Sequence, residues 1–518
     1  MISFVSFAYI AFLIVTALLY YLLPKKIRWI ILLIASYIYY FIASHELILF
    51  LLLTTVIIYV VGYILNRLNL SIKSISKNID KDLRKAKKQK IKNKKRYVVI
   101  TGIILTISSL LFLKYFSFFA GNFNALGDLL HLPIDIPLKK FILPLGISYY
   151  TLMAISYIVD IYRGKYPACS HIGKLALYLS FFPQMLEGPI SRYDETADKL
   201  FRGNRFQLEN VRFAAYLILW GVFKKMVIAD RAAVFVNAIF GTDHGGIAVI
   251  LAIVLYTLQI YAEFSGAIDI VRGSAYLFGV YLPQNFQRPF FSKSIAEFWR
   301  RWHITLGSWL KDYVFYSVSL SKMCVNLNKF VKKHFKGHLG KFILTAFPLF
   351  FVWFFNGFWH GATWKYIFYG LYYYVIMMAA KFVEPWIMNF TKKFNKKSWY
   401  NIFQILRTTF LVMIGMLIFR ANTLGDAWKM ILNIFHQPSG DILSYGLLNI
   451  DFYILILTTM ILLITSFIQE KGYHLKTILE HKPVILRYTI ILFIIAMIIV
   501  FGMYGEGYNA SDFIYGGF

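Results

Sequence analysis

The sequence has few cysteines and few charged residues, and each shortage excludes a class of protein. Cys169 and Cys324 are the only two cysteines in 518 residues, so a framework of several disulfides is impossible. No CxxC or Cys/His spacing indicates a metal site. Charged residues make up 15% of the chain, against about 25% in a soluble globular domain, and apolar residues make up 59%. This composition predicts a polytopic membrane protein, and the long apolar segments predict that it is all-α.

Nucleotide-binding motifs are also missing. The absence of GxxxxGK[ST], and of GxGxxG after a strand, argues against a nucleotide-driven pump and a Rossmann enzyme. The net charge of +30 does not predict nucleic-acid binding, because the basic residues lie in short loops between apolar segments. The densest run, from Lys73 to Arg96, lacks the interleaved aromatics of a nucleic-acid site. Topology and attraction to an anionic lipid bilayer account for this charge.

Long apolar segments define the predicted organisation. About 20 apolar residues cross a bilayer as a helix, and we expect 11 to 14 spans or re-entrant pieces in total. An N-terminal group, 1–120, contains a Lys-rich cytoplasmic loop at 66–96, and a C-terminal group, 384–518, contains an outside loop. The positive-inside rule places both termini outside. Ile2–Leu23 lacks the flanks of a signal peptide, and we expect it to be a retained membrane span.

Polar residues, glycine and proline interrupt the apolar sequence in three central segments, which are Leu143–Tyr150, Phe182–Tyr193 and Gln259–Gly266. Irregular backbone at membrane depth is tolerated only where protein or a wet cavity surrounds it, so these segments are expected to line an internal chamber. We expect Glu187 to pair with Arg192, and Glu263 to pair with Arg272 or Arg288. A structural role is favoured for these pairs, because buried ions need partners.

Two histidines lie in Trp-rich segments and are the strongest chemical candidates, since an intramembrane imidazole is a functional candidate by default. Trp353, Gly357, His360 and Trp364 recur at steps of four, three and four, which predicts one shared helix face. Gly357 and Gly361 would let a neighbouring backbone approach closely. The second histidine, His303, follows a capping-box pattern, which predicts a helix from Ser294 to about Leu310. For His303 a structural role and a chemical role are equally supported.

A series of motifs resembles the membrane-bound O-acyltransferases of the bacterial branch that serves alginate O-acetylation and teichoic-acid D-alanylation. The motifs are Tyr256-x-x-Gln259-Ile-Tyr261-x-Glu263-Phe-Ser265-Gly, Leu282-Pro-x-Asn285-Phe-x-Arg288-Pro, Glu297-Phe-Trp-Arg-Arg-Trp302-His303, Trp309-Leu-Lys-Asp312-Tyr and Gly357-Phe-Trp359-His360-Gly-Ala-x-Trp364. The resemblance implies a catalytic core at 141–383, built as a helical bundle with re-entrant segments around a transmembrane tunnel.

The resemblance also implies roles for individual residues. His360 matches the essential histidine of the family and would act as general base, and His303 matches the second histidine. Asn356 is expected to orient the imidazole or donate to an oxyanion, or else to be a helix-break residue beside Gly357. The other predicted substrate-contacting and tunnel-lining residues are Trp359, Trp364, Trp302, Tyr261, Glu263, Ser265, Gln259, Glu187 and Arg192.

The predicted reaction is transfer of acetyl from a cytoplasmic thioester, acetyl-CoA, toward an extracellular or cell-wall polysaccharide. No bound cofactor or metal is expected. The segment Ile418-Phe-Arg-Ala-Asn422 resembles an element of the alginate type, which favours polysaccharide O-acetylation. The resemblance also implies an exported SGNH-like acetyltransferase as partner. Two alternatives stay open: D-alanyl transfer from a carrier protein to teichoic acid, and a proton-coupled transporter whose histidines relay protons.

Overall fold

The computed structural model describes residues 3–75, 80–185, 187–391, 394, 397–473, 478 and 481–504, with side chains 388–390 excepted. The end of the chain, 505–518, for which the sequence predicts an outside position, falls outside the described residues. Helices account for 80% of the structure, and the described ranges contain no β-strand. A single isolated bridge joins Phe286 and Trp302. The all-α prediction is confirmed.

Within the described residues, eight helical stretches are long and apolar enough to cross a membrane. They are Lys25–Lys73, Lys81–Leu129, Gly246–Leu277, Gly337–His360, Trp364–Ile387, Ser398–Arg420, Asn449–Glu470 and Val484–Phe501. The first of these contains two helices, and the shorter apolar helix Phe7–Leu22 precedes it. The chain is therefore a multi-pass membrane protein, in which shorter helices supply the interrupted pieces.

The first compact unit contains residues 3–214 together with Val271–Pro283. Its helices are α1 (Phe7–Leu22), α2 (Arg28–Ser44), α3 (Ile48–Lys73), α4 (Lys81–Leu129), α5 (Ile147–Arg163), α6 (Ile172–Ser180), α7 (Phe182–Met185), α8 (Tyr193–Phe201) and the start of α9 (Leu208–Phe223). Helix α5 is buried on nearly all sides, because α3 and α4 pack against it. Gly146 precedes it with a φ of 64°, and a Cβ there would lie 2.1 Å from the Met185 carbonyl oxygen.

The Lys-rich segment is helical where the sequence predicted a loop at 66–96. Helix α3 continues to Lys73, and α4 begins at Lys81 with Asp80 as its N-cap. Since α4 has 49 residues, it is about 74 Å long, more than twice the ~30 Å hydrocarbon thickness. The basic residues from Lys81 to Arg96 therefore extend the helix beyond its apolar part instead of forming a turn.

The second compact unit contains Ala215–Ile270 and the chain from Gln284 onward. Its helices after α9 are α10 (Asp230–Ile239), α11 (Gly246–Leu277, without its last residues, 271–277), α12 (Ile295–Arg301), α13 (Ile304–Trp309), α14 (Tyr316–Ser319), α15 (Lys322–His334), α16 (Gly337–His360), α17 (Trp364–Thr391), α18 (Ser398–Arg420), α19 (Leu424–His436), α20 (Asn449–Glu470) and α21 (Val484–Phe501). Two π-helical segments, Lys224–Ala229 and Leu310–Phe315, interrupt this pattern. Such π segments are rare and occur frequently at functional sites.

Candidate active site

The candidate site is built around His360, which is the last residue of α16 and is 2% exposed. Gly361 continues the chain in an extended conformation with a φ of 175°. The helix therefore ends at the histidine, and α17 begins at Trp364. Trp364 does not share a helix face with His360, so that prediction is wrong, and its side chain is 60% exposed. The four-residue step from His360 to Trp364 is not a helical step, because the helix stops at Gly361.

The position of His360 depends on a close crossing of α16 and α17. A Cβ on Gly357 would lie 2.2 Å from the carbonyl oxygen of Tyr366, and a Cβ on Gly370 would lie 2.2 Å from that of Trp353. No side chain fits between the two backbones at this point. The predicted close approach at Gly357 is confirmed, and it fixes the last turn of α16 against α17.

Aromatic rings surround the His360 imidazole. The ring centroids of Phe419 and Tyr369 lie 5.1 Å and 5.7 Å from it, both nearly perpendicular to it. Tyr366 lies 6.4 Å away, and the neighbouring Trp359 lies 5.0 Å away. Rings packed edge to face in this way fix the orientation of the imidazole and exclude water from it. The histidine therefore lies in an apolar enclosure formed by α16, α17 and α18.

His303 occupies a break between two helices where the sequence predicted one continuous helix to about Leu310. The N-cap is confirmed, because the Ser294 hydroxyl accepts a hydrogen bond of 3.2 Å from the Glu297 amide. Helix α12 then ends at Arg301, and His303 adopts a φ of 47° before α13 begins. A left-handed conformation is costly for a residue with a Cβ, and such strain is found at functional sites. The break turns the imidazole into the protein.

Asn285 fixes the tautomer of His303. Its Oδ1 accepts hydrogen bonds from the amide and the hydroxyl of Thr305, at 3.0 Å and 2.9 Å. The same oxygen lies 3.2 Å from His303 Nδ1, so Nδ1 carries the proton and donates. Residue 303 lies outside the eight candidate spans, and burial lowers the pKa of His303 to about 3. The neutral ring therefore presents the lone pair of Nε2.

The Trp359 indole contacts both histidines. Its ring centroid lies 5.6 Å from that of His303 and 5.0 Å from that of His360. One turn before His360, the Oδ1 atom of Asn356 is buried without a hydrogen-bond partner among the described residues. The Oε1 atom of Gln259 is also buried without a hydrogen-bond partner among the described residues. Buried polar atoms without a partner in the protein are expected where a substrate or water supplies one.

A second aromatic cluster surrounds the chain break before His303. Trp302 is fully buried and stacks on Phe298, with Phe286 perpendicular to it at 5.0 Å. The ring centroid of Tyr261, on α11, lies 6.0 Å from that of Phe286 and 6.1 Å from that of Trp302. These contacts join α11 to the segment that carries His303.

Glu263 pairs with a lysine that the sequence did not predict as its partner. Lys225 Nζ, in the π segment, lies 3.1 Å from Glu263 and 2.7 Å from Asp230. The predicted partner Arg288 instead binds Glu470, at 2.7 Å. Sequence spacing favoured an arginine close in the chain, whereas helix packing brings a lysine from another helix to the carboxylate.

The neighbouring lysine makes a parallel set of contacts. Lys224 Nζ lies 2.7 Å from Asp269 and donates a 2.9 Å hydrogen bond to the Ser265 hydroxyl. Gly221 and Gly266 let the helices approach, since a Cβ on Gly221 would lie 2.5 Å from the Gly266 carbonyl oxygen. Lys224 and Lys225 therefore neutralise the carboxylates on the polar face of α11.

Glu187 and Arg192 belong to the first unit, where both side chains are buried. The Arg192 amide donates to the carboxylate of Glu195 at 3.4 Å, at the start of α8. Their burial agrees with the interrupted, polar character of this segment. Their place along a substrate path stays a prediction.

Comparisons with known proteins identify the family. A model of MBOAT, the membrane-bound O-acyltransferase family, matches residues 169–324, a range that includes Glu263 and His303 and ends before His360. The teichoic acid D-alanyltransferase of Bacillus subtilis is 30% identical over 288 residues, which are 53% of this chain and 68% of that protein. The chain belongs to the membrane-bound O-acyltransferase family.

Two other relatives are named for O-acetylation. A protein of Pseudomonas syringae pv. tomato named "Probable alginate O-acetylase AlgI" is 32% identical over 333 residues, 64% of this chain and 59% of the relative. The peptidoglycan O-acetyltransferase of Helicobacter pylori is 30% identical over 371 residues, 65% of this chain and 64% of the relative. The match thus spans less than two thirds of the length of these two O-acetylation relatives.

Several residues of the candidate site were not predicted from the sequence. Tyr366 and Tyr369, two walls of the His360 enclosure, lie in an aromatic run and carry no sequence signal of their own. The third, Phe419, lies in the segment Ile418-Phe-Arg-Ala-Asn422, but the sequence did not place it beside His360. Lys224 and Lys225 did carry a sequence signal, because two adjacent lysines interrupt an apolar stretch, and charges inside such a stretch mark functional or paired sites.

Proposed function

We propose that this protein is a bacterial plasma-membrane O-acyltransferase that moves acetyl from acetyl-CoA in the cytoplasm toward a hydroxyl group of an envelope polysaccharide. The observation that carries the proposal is His360, a buried imidazole fixed at a helix end and enclosed by aromatic rings. Family membership supports it, and so do the relatives named for alginate and peptidoglycan O-acetylation.

In the proposed reaction, His360 acts as the general base. The acceptor hydroxyl attacks the thioester carbonyl while the imidazole takes its proton, which forms a C–O bond and a tetrahedral oxyanion. The oxyanion collapses, the C–S bond breaks, and the thiolate of coenzyme A leaves and takes the proton from the imidazolium. A base placed in this way contributes about 10² to 10⁴-fold to the rate.

Other residues of the site are proposed to bind and orient. His303 presents Nε2 because Asn285 holds its other nitrogen, and it positions the donor. The Asn356 amide lies one helical turn from His360 and is placed to donate a hydrogen bond to the oxyanion. Trp359 keeps water out between the two imidazoles.

The donor and the acceptor are proposed to enter from opposite sides of the membrane. The positive-inside rule supports cytoplasmic basic ends and outside termini. The acceptor is then either the polysaccharide itself or a serine of an exported SGNH-like acetyltransferase that passes the acetyl group to the glycan. In both cases the acyl group never crosses the membrane as a free species.

D-alanyl transfer from a carrier protein to teichoic acid is the second candidate, supported by the similarity to the Bacillus subtilis protein. The two candidates differ in the ester that they form. Deletion of the gene is expected to remove acetyl esters from envelope glycans and leave wall D-alanine unchanged, as measured by mild alkaline release and chromatography. Loss of D-alanine with unchanged acetyl would replace the proposal by the second candidate.

Gly357→Ala is expected to lower ester formation about 100-fold while the protein still reaches the membrane. The new Cβ would lie 2.2 Å from the Tyr366 carbonyl oxygen, so α16 and α17 must separate and His360 must move. A shift of about 1 Å at a reacting group costs about 10²-fold, and overpacking costs about 1 to 3 kcal/mol of stability. Ester content of the envelope and thermal unfolding of the purified protein measure the two effects.

Gly425→Ala is the matched control. Gly425 is also helical. A Cβ added there would lie 3.6 Å from the Thr423 hydroxyl, which is an ordinary van der Waals distance. This variant is expected to form ester at the wild-type level. Equal activity of both variants would mean that the crossing of α16 and α17 does not position the base.

A further inference from the structure

The first unit contains a cationic pocket that the proposed reaction does not use. It has a volume of about 330 Å³ and lies beside the end of α1 and the loop between α8 and α9. Lys25, Arg202 and Arg205 line it, and no carboxylate lines it among the described residues. Three positive side chains around one pocket favour an anionic ligand with several oxygens.

The floor of this pocket is rigid. Asn204 is buried, and its Nδ2 donates to the carbonyl oxygens of Lys199 and Phe278, at 2.8 Å and 2.9 Å. The backbone amide of Asn204 donates a hydrogen bond to the Tyr20 hydroxyl at 2.9 Å. Gly203 has a φ of 66°, and a Cβ there would lie 2.2 Å from the Lys25 carbonyl oxygen. Hydrogen bonds and close packing therefore form the floor without a ligand.

Two of the cations are not used by the fold. Arg28 is structural, since it donates to the carbonyl oxygens of Asn204, Leu23 and Tyr21 at 2.5 to 3.0 Å. Arg202 bonds the Asn204 side chain and lies 3.6 Å from Asp198. Lys25 and Arg205, in contrast, are exposed and form no ion pair within the described part of the chain. Their charge is available to a ligand.

The surroundings of the pocket distinguish a lipid from a soluble anion. The apolar helix α1 ends beside it, with Leu22 78% exposed. Phe206 and Leu208, which flank the pocket residues in sequence, are more than half exposed as well. Exposed apolar side chains next to cations mark the level of lipid headgroups, and basic pockets at this level bind anionic headgroups. A soluble anion gains nothing from such a rim.

We propose that this pocket binds the phosphate headgroup of an anionic phospholipid, with Lys25 and Arg205 on the phosphate and the acyl chains along Leu22, Phe206 and Leu208. Tyr281 and Asn210 also line the pocket and offer a hydroxyl and an amide to a headgroup alcohol. The site lies in the first unit and does not depend on the proposed acyl transfer.

The test uses the full chain, delipidated in a neutral detergent and titrated with dioleoyl phosphatidylglycerol, with bound lipid counted by native mass spectrometry. The double variant Lys25→Ala/Arg205→Ala is expected to bind this lipid about 25-fold more weakly, about fivefold for each charge removed. Arg205→Lys alone is expected to retain binding within about threefold, because the charge remains.

The matched control is Lys26→Ala/Arg212→Ala, which removes two exposed cations from the same region outside the pocket lining. Its affinity is expected to equal that of the wild type. Three results would overturn the proposal: wild-type affinity in the pocket variant, an equal loss in the control, or equal binding of zwitterionic phosphatidylcholine. Displacement of phosphatidylglycerol by coenzyme A would instead assign the pocket to a soluble phosphate donor and also overturn the lipid assignment.

Discussion

His360→Ala is expected to reduce ester formation by about 10² to 10⁴-fold, the contribution of a positioned general base. The variant lacks the group that accepts the acceptor proton, and the phenols of Tyr366 and Tyr369 are among the rings around this position. A tyrosine hydroxyl is a poor base near neutral pH. Acetyl ester in the envelope of a deletion strain complemented with each variant measures the effect.

The loss has to be separated from misfolding, because the rings of Trp359, Tyr366, Tyr369 and Phe419 pack around His360. His360→Gln fills most of the same volume and cannot act as a base, so it is expected to keep wild-type stability and to lose activity with the alanine variant. His334→Ala is the control, since His334 is exposed on α15, and it is expected to keep full activity. Wild-type ester levels in the glutamine variant would remove His360 from the chemistry.

Lys225→Met is expected to destabilise the protein by about 3 to 5 kcal/mol. The Nζ atom of Lys225 lies 3.1 Å from the Glu263 carboxylate and 2.7 Å from the Asp230 carboxylate, and all three side chains are largely buried. Removal of the cation leaves two carboxylates in a poorly solvated region, and the loss of one partner from a buried ion pair costs about this amount. Thermal inactivation in a lipid nanodisc measures it as a lower midpoint.

Two further variants show whether charge or packing causes the loss. Lys311→Met is the matched control, because Lys311 also lies in a π segment but is exposed, and its midpoint is expected to equal that of the wild type. The triple variant Lys225→Met/Asp230→Asn/Glu263→Gln removes the uncompensated charge and is expected to recover most of the midpoint. If the triple variant is as unstable as the single one, the lysine stabilises the protein through its packing alone.

Sequence patterns predicted the structure correctly where the feature depends on residues of a single helix or on a single residue type. The Ser294 N-cap is present because its hydroxyl and the amide that it accepts from are three residues apart. The close approach at Gly357 was predicted because only a residue without a side chain permits it. The continuation of the α12 helix through His303 was wrong, because Asn285 of another segment holds the imidazole and the chain bends to meet it.

The sequence by itself determined the class of this protein, since its apolar content, the lengths of its spans and an ordered series of motifs follow from residue type and spacing alone. Only the tertiary structure decided that Lys225 pairs with Glu263, that Trp359 lies between the two histidines, and that the His360 helix ends where it does. Spacing reports which residues share one helix. Which helices meet depends on packing summed over many distant side chains, and no local pattern in the chain records that sum.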